Sequence, residues 1–95
     1  LALLAQAEAV VANILIVAPA PVREAGCLTE VFAGAEARQA GLAGYLDAMA
    51  RRHGFGFVDA GAHVSVSPRD GVHWEAEAHR SFGAVMARVV SGILA

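Results

Sequence analysis

The sequence predicts an α/β layered fold with a parallel sheet, of which only a part is present. Three observations carry this reading. Two short apolar runs, Ile14-Leu15-Ile16-Val17 and Phe55-Gly56-Phe57-Val58-Asp59, lack polar alternation and read as strands covered on both faces. Segments of helical period lie before, between and after them. Two strands with three helices leave sheet edges and helix faces open, too little to close such a fold. The composition agrees: 57% of the 95 residues are hydrophobic and 17% charged, against about 45–50% and about 25% in an average soluble domain. Alanine supplies much of the excess. The rest is more apolar surface than one small domain can cover alone, so a partner surface is expected.

Leu1 to about Val11 is alanine-rich, with Gln6 and Glu8 as its only polar members, and suits a mostly buried helix broken by Asn13. It opens in mid-pattern, without methionine or the charged flank and cleavage site of a signal peptide. The beginning of the protein is therefore expected to lie outside these residues. The first strand is closed by Pro19 and Pro21, which cannot donate to a ladder. Val22 to Gly34 is weakly periodic, with Leu28, Val31 and Phe32 at helical spacing. A helix is predicted from Ala35 to His53, where Leu42, Tyr45, Leu46 and Met49 recur at i, i+3, i+4 and i+7. Glu36 lies in its first turn, Arg51-Arg52-His53 in its last, and Gly54 just beyond. After the second strand, a loop from Ala60 to Arg69 leads to a last helix from about Glu75 to Leu94. Phe82, Val85, Met86, Val89, Val90 and Ile93 form its apolar stripe, and Glu75 and Glu77 stand at its positive end.

Several function classes are disfavoured at once. A net charge of −2 is not the basic footprint of a nucleic-acid binder. The longest apolar run, Ile14 to Pro21, contains two prolines and falls short of the ~18 residues of a membrane span. Neither nucleic acid nor membrane is expected as a partner, and a cytoplasmic location is. Cys27 stands alone, so no internal disulfide forms. His53, His63, His73 and His79 include no i, i+4 helical pair, and Cys27 has no neighbour in sequence to join it, which argues against zinc. No glycine-rich phosphate loop precedes a helix. No cofactor is expected.

One motif points to chemistry. Asp70-Gly71-Val72-His73 places a carboxylate three residues ahead of an imidazole, on a loop just before a helix. Such a carboxylate can fix the ring's tautomer while the ring takes a proton from a nucleophile. Asp-x-x-His alone is a weak signal, and as an isolated motif it reads as a turn with a surface histidine. Three further blocks precede it in order: Ile14 to Pro21, Val31-Phe32-Ala33-Gly34-Ala35, and Phe57-Val58-Asp59-Ala60-Gly61. Together the four resemble the last half of SGNH (GDSL-type) hydrolases, nearest the arylesterase and acyltransferase branch, over nearly the whole chain.

The resemblance implies a three-layer α/β/α, flavodoxin-like fold, of which residues 1–95 are the C-terminal portion of one domain, with about two strands and three helices. It implies acyl transfer from short-chain or aryl esters to water or an alcohol, with His73 as general base and Asp70 as its orienting partner. The family's serine lies in a Gly-Asp-Ser block, and a glycine and an asparagine from two other blocks add to the oxyanion hole. None of these blocks occurs here. Ser65, Ser67, Ser81 and Ser91 lack the Gly-Asp context, and Asn13 precedes a strand. The expected partners are thus an N-terminal half carrying Ser, Gly and Asn and, by family habit, further copies in a homo-oligomer. Val72 is implied to line the acyl pocket, with loop packing as its equal alternative. Leu28, Val31 and Phe32 resemble a loop that narrows the substrate channel, or else pack the core. Trp74 is a candidate pocket wall for which packing is the preferred reading. Asp59 is read as structural, accepting loop amides. The rival classes are a non-enzymatic helical interaction module and a family member that has lost its chemistry.

Overall fold

The computed structural model describes residues 2–95. Its elements are α1 (Ala2–Glu8), β1 (Leu15–Ala18), α2 (Ala35–Gln39), α3 (Leu42–His53), β2 (Gly56–Asp59) and α4 (Ala76–Leu94), with 3-10 turns at Gly26–Leu28 and Ala60–Ala62. The two strands pair in parallel, Leu15 opposite Gly56 and Ala18 opposite Asp59. Both therefore end at one edge, and the segments that leave them start side by side.

Leu15 and Val58 belong to the core that α4 builds from Phe82, Val85, Met86 and Val89 over Ala20, Ala60, Val64 and Val66. Alternation along the strands turns the intervening residues to the opposite face, where α3 packs on both strands and buries Met49 and Ala50. Helix, sheet and helix thus form three layers, the arrangement the sequence predicts. α4 follows its predicted stripe at Phe82, Val85, Met86 and Val89, whereas Val90 is 39% exposed. α3 ends as its sequence dictates, with Gly54 at φ 72° and its N–H bonded to the carbonyls of Ala50 and Arg51.

Three expectations are corrected. The helix predicted from Ala35 to His53 is broken at Ala40-Gly41, where Ala40 has ψ 130° and Gly41 φ 82°. The cause is a clamp on α2. Val22 N–H donates to Gln39 Oε1 at 2.9 Å, and Gln39 Nε2 donates back to the Val22 carbonyl. Glu24 accepts from the N–H groups of Gly34 and Glu36 at the start of α2, while its own N–H donates to Glu36 Oε2 at 2.8 Å. These bonds lay α2 along residues 22–24, and the glycine then redirects the chain so that α3 reaches the sheet.

Second, α1 stops at Glu8 and buries no residue. Leu3 is 77% exposed, because an alanine run offers no broad stripe of large side chains to dock. Third, β1 is not covered on both faces, since Val17 remains 38% exposed. Among the described residues no helix is long and apolar enough to cross a membrane.

Candidate active site

The candidate site lies where the chain leaves the paired strand ends. Beyond β1, residues 22–27 run against residues 69–71: Arg23 N–H donates to the Gly71 carbonyl at 2.7 Å and Cys27 N–H to the Arg69 carbonyl at 2.8 Å. The approach is close enough to require glycine on each side. A Cβ on Gly71 (φ 75°) would lie 2.0 Å from the Arg23 carbonyl oxygen, and one on Gly26 (φ 71°) 2.0 Å from that of Arg69. The Asp70 loop is thereby locked to the segment that carries Glu24, and through Glu24 to α2.

Within this frame Asp70 is fully engaged. Its Oδ1 accepts from the N–H groups of Val72 and His73 at 2.8 and 3.0 Å, and its Oδ2 lies 2.6 Å from His73 Nδ1. Bonds from the Val72 N–H first, then from the His73 N–H and ring, lower the Asp70 pKa from 3.8 to about 2. A carboxylate ionised at neutral pH accepts a proton-bearing Nδ1, which leaves Nε2 as the free basic nitrogen. The two side chains differ in access: Asp70 is 19% exposed and His73 76%. The carboxylate is tucked away and the ring stands open. Among the described residues no serine hydroxyl bonds to that ring.

The other predicted residues are dispersed. Val72 is half-buried and serves the pair through its backbone. Trp74 packs edge-on against Phe82 at 5.4 Å and beside His79 at 5.2 Å, against the core. Val31 and Phe32 line an open concavity of about 380 Å³ with Arg38, Gln39 and Leu42, whose lining includes neither Asp70 nor His73. Leu28 ends the 3-10 turn that rests on Arg69. Asp59 accepts from the Gly61 N–H at 3.0 Å, the loop-bracing role expected of it.

Two residues under the Asp70 loop escaped the sequence reading. Ser67 is 4% exposed, and its hydroxyl donates to Glu75 Oε1 and accepts from the Arg69 N–H at 3.1 Å. Glu75 makes no side-chain cap to α4; its carboxylate turns to Ser67 instead. The spacing Ser67–Glu75 matches no local capping pattern, so only the loop's path shows the pair.

A parallel sheet thus lies between helices, with an Asp–His pair on a loop beyond its second strand, and the solved structures that resemble this chain are esterases. A carbohydrate acetylesterase family member from Sinorhizobium meliloti matches with a TM-score of 0.78 and 35% identity, over 86% of this chain and 39% of that one. The native aryl esterase of M. smegmatis matches with a TM-score of 0.76 and 28% identity, over 84% of this chain and 38% of that one. The likeness bears out the resemblance to SGNH-type hydrolases carried by the four sequence blocks. The chain spans about two fifths of the length of these structures. No protein-family model matches it, and no curated protein does.

Proposed function

We propose that this chain supplies the Asp–His half of a serine ester hydrolase or acyltransferase acting on short-chain or aryl esters. The observation that carries the proposal is the 2.6 Å bond between Asp70 Oδ2 and His73 Nδ1 on an open ring. The serine would come from an N-terminal half of the same domain, together with the glycine and asparagine donors of an oxyanion hole. His73 Nε2 takes the proton of the serine hydroxyl as its oxygen attacks the ester carbonyl. The resulting imidazolium is stabilised by Asp70, which stays ionised, and returns the proton to the departing alcohol. Water or an acceptor alcohol, deprotonated by the same nitrogen, then releases the acyl group.

The similarity to an aryl esterase and a carbohydrate acetylesterase supports ester chemistry. Replacing His73 by alanine in the assembled protein should lower kcat by a factor of about 10³ or more with little change in folding. The direct test is hydrolysis of a short-chain aryl ester by the chain with and without its serine-bearing half. Turnover by the 95-residue chain alone that survives a serine-directed phosphonate would sink the mechanism. An interaction module would show full activity in the His73→Ala protein, or none in the assembled wild type.

A further inference from the structure

We propose that Ser67, anchored by Glu75, is a positioning residue that sets the geometry of the Asp70–His73 pair, an inference that rests on the esterase reading for its kinetic consequence. Ser67 is the one buried polar residue among those described, and every hydrogen bond it makes goes to the loop that carries the pair. Its N–H donates to the His73 carbonyl at 2.7 Å, and its carbonyl accepts from the Gly71 N–H at 2.8 Å. Its Oγ accepts from the Arg69 N–H at 3.1 Å and donates to Glu75 Oε1. One residue thus holds the backbone on both sides of Asp70 and at His73 itself.

Glu75 fixes the direction of the hydroxyl. A carboxylate only accepts, so the Ser67 proton must point to Glu75, and a lone pair is left for the Arg69 N–H. Without Glu75 the hydroxyl is free to rotate and the Arg69 bond loses its partner's orientation. Arg69 and Gly71 flank Asp70, whose Oδ1 must meet two N–H groups while Oδ2 meets the ring. Small displacements of the loop therefore misplace the ring. A misplacement of about 1 Å can cost on the order of 10²-fold in rate.

Glu75 is the better residue to test, because its side chain is about half exposed and its loss takes the acceptor from the Ser67 hydroxyl while leaving the backbone bonds of Ser67 in place. Glu75→Gln keeps an acceptor for Ser67 Oγ and removes the charge and the 3.9 Å approach to Arg69 Nε; Glu75→Ala removes both. In the protein assembled with its serine-bearing half, Glu75→Ala should lower kcat for an aryl ester about ten-fold or more, with KM changed by less than about two-fold. Glu75→Gln should recover most of that loss. Ser67→Ala should match Glu75→Ala, since it keeps the backbone bonds and removes only the hydroxyl.

Proton NMR of the 95-residue chain gives a second readout that needs no turnover. The His73 Nδ1–H resonance should be sharp in the wild type and Glu75→Gln, and broadened or lost in Glu75→Ala. Equal impairment by Glu75→Gln and Glu75→Ala, or an unchanged ring proton and unchanged kcat in Glu75→Ala, would overturn the proposal. A wild type that turns over no ester overturns the esterase reading; the ring proton then decides on Ser67 and Glu75 by itself.

Discussion

Residues 22–27 and 67–75 are tied to each other through the N–H groups of Arg23 and Cys27, the first stretch to α2 through Glu24, and the second within itself at Ser67 and Asp70, whereas α1 buries no residue and Val31 and Tyr45 stand in the open. Among the described residues no buried side-chain nitrogen or oxygen lacks a partner. Yet no large side chain among them is fully buried. Hydrogen bonds of a loop are satisfied by groups close at hand, so a portion of a domain can complete them. Apolar burial needs opposing surface, and the described elements leave Leu3, Val31 and Tyr45 without it. The geometry of the candidate site is thus set within this chain, while its apolar faces stay partly uncovered.

That contrast can be broken most directly at glycines. Gly71→Ala puts a Cβ against the Arg23 carbonyl at a backbone φ of 75°, which is strained in both senses. It should destabilise by about 2–3 kcal/mol in urea unfolding and disrupt the Asp70–His73 pair. Gly83→Ala, in α4 with open space around it, should stabilise by up to about 1 kcal/mol. Equal effects at the two positions would mean that the loop is no more tightly determined than the helix surface.

The pH dependence sharpens the same point. The Asp70 carboxyl is held down from 3.8 to about 2 in the fold, so the folded state favours its ionised form. The stability it contributes is fully present above pH 3.8 and is lost as pH falls from there through about 2. The stability difference between wild type and Asp70→Asn should therefore be level above that window and shrink within it. A difference that grows on acidification would reverse the assignment.

Much of this was legible in the sequence, and the exceptions have physical causes. The strands announce themselves because fully apolar runs bounded by Asn13, Pro19 and Gly54 fit little else. The end of α3 is readable for the same local reason, its basic last turn and its glycine. Gly41 is different. A glycine inside a helical pattern is compatible with continuing or breaking, and the choice is made by Gln39 gripping Val22 and by Glu24 accepting from the Gly34 N–H at the start of α2, contacts made across 17 and 10 residues. The Asp70–His73 bond joins residues three apart and shows in the motif. The Ser67–Glu75 bond depends on how the intervening loop folds back, and residue spacing does not encode it. The exposure of α1 follows from its lack of a broad stripe of large side chains.

The smallest effect tests that last statement. Leu3→Glu replaces an exposed apolar side chain with an exposed charge on a helix that buries nothing, so stability of the 95-residue chain should change by less than about 0.5 kcal/mol. In an assembly with the proposed serine-bearing half, the same substitution tests a second surface. If that half covers α1, the glutamate must be desolvated there, and association should weaken by a factor of about ten or more. A loss in the isolated chain as large as in the assembly would show that α1 already has its full partner surface within residues 2–95. The apolar excess of the sequence would then need a different explanation from an uncovered face.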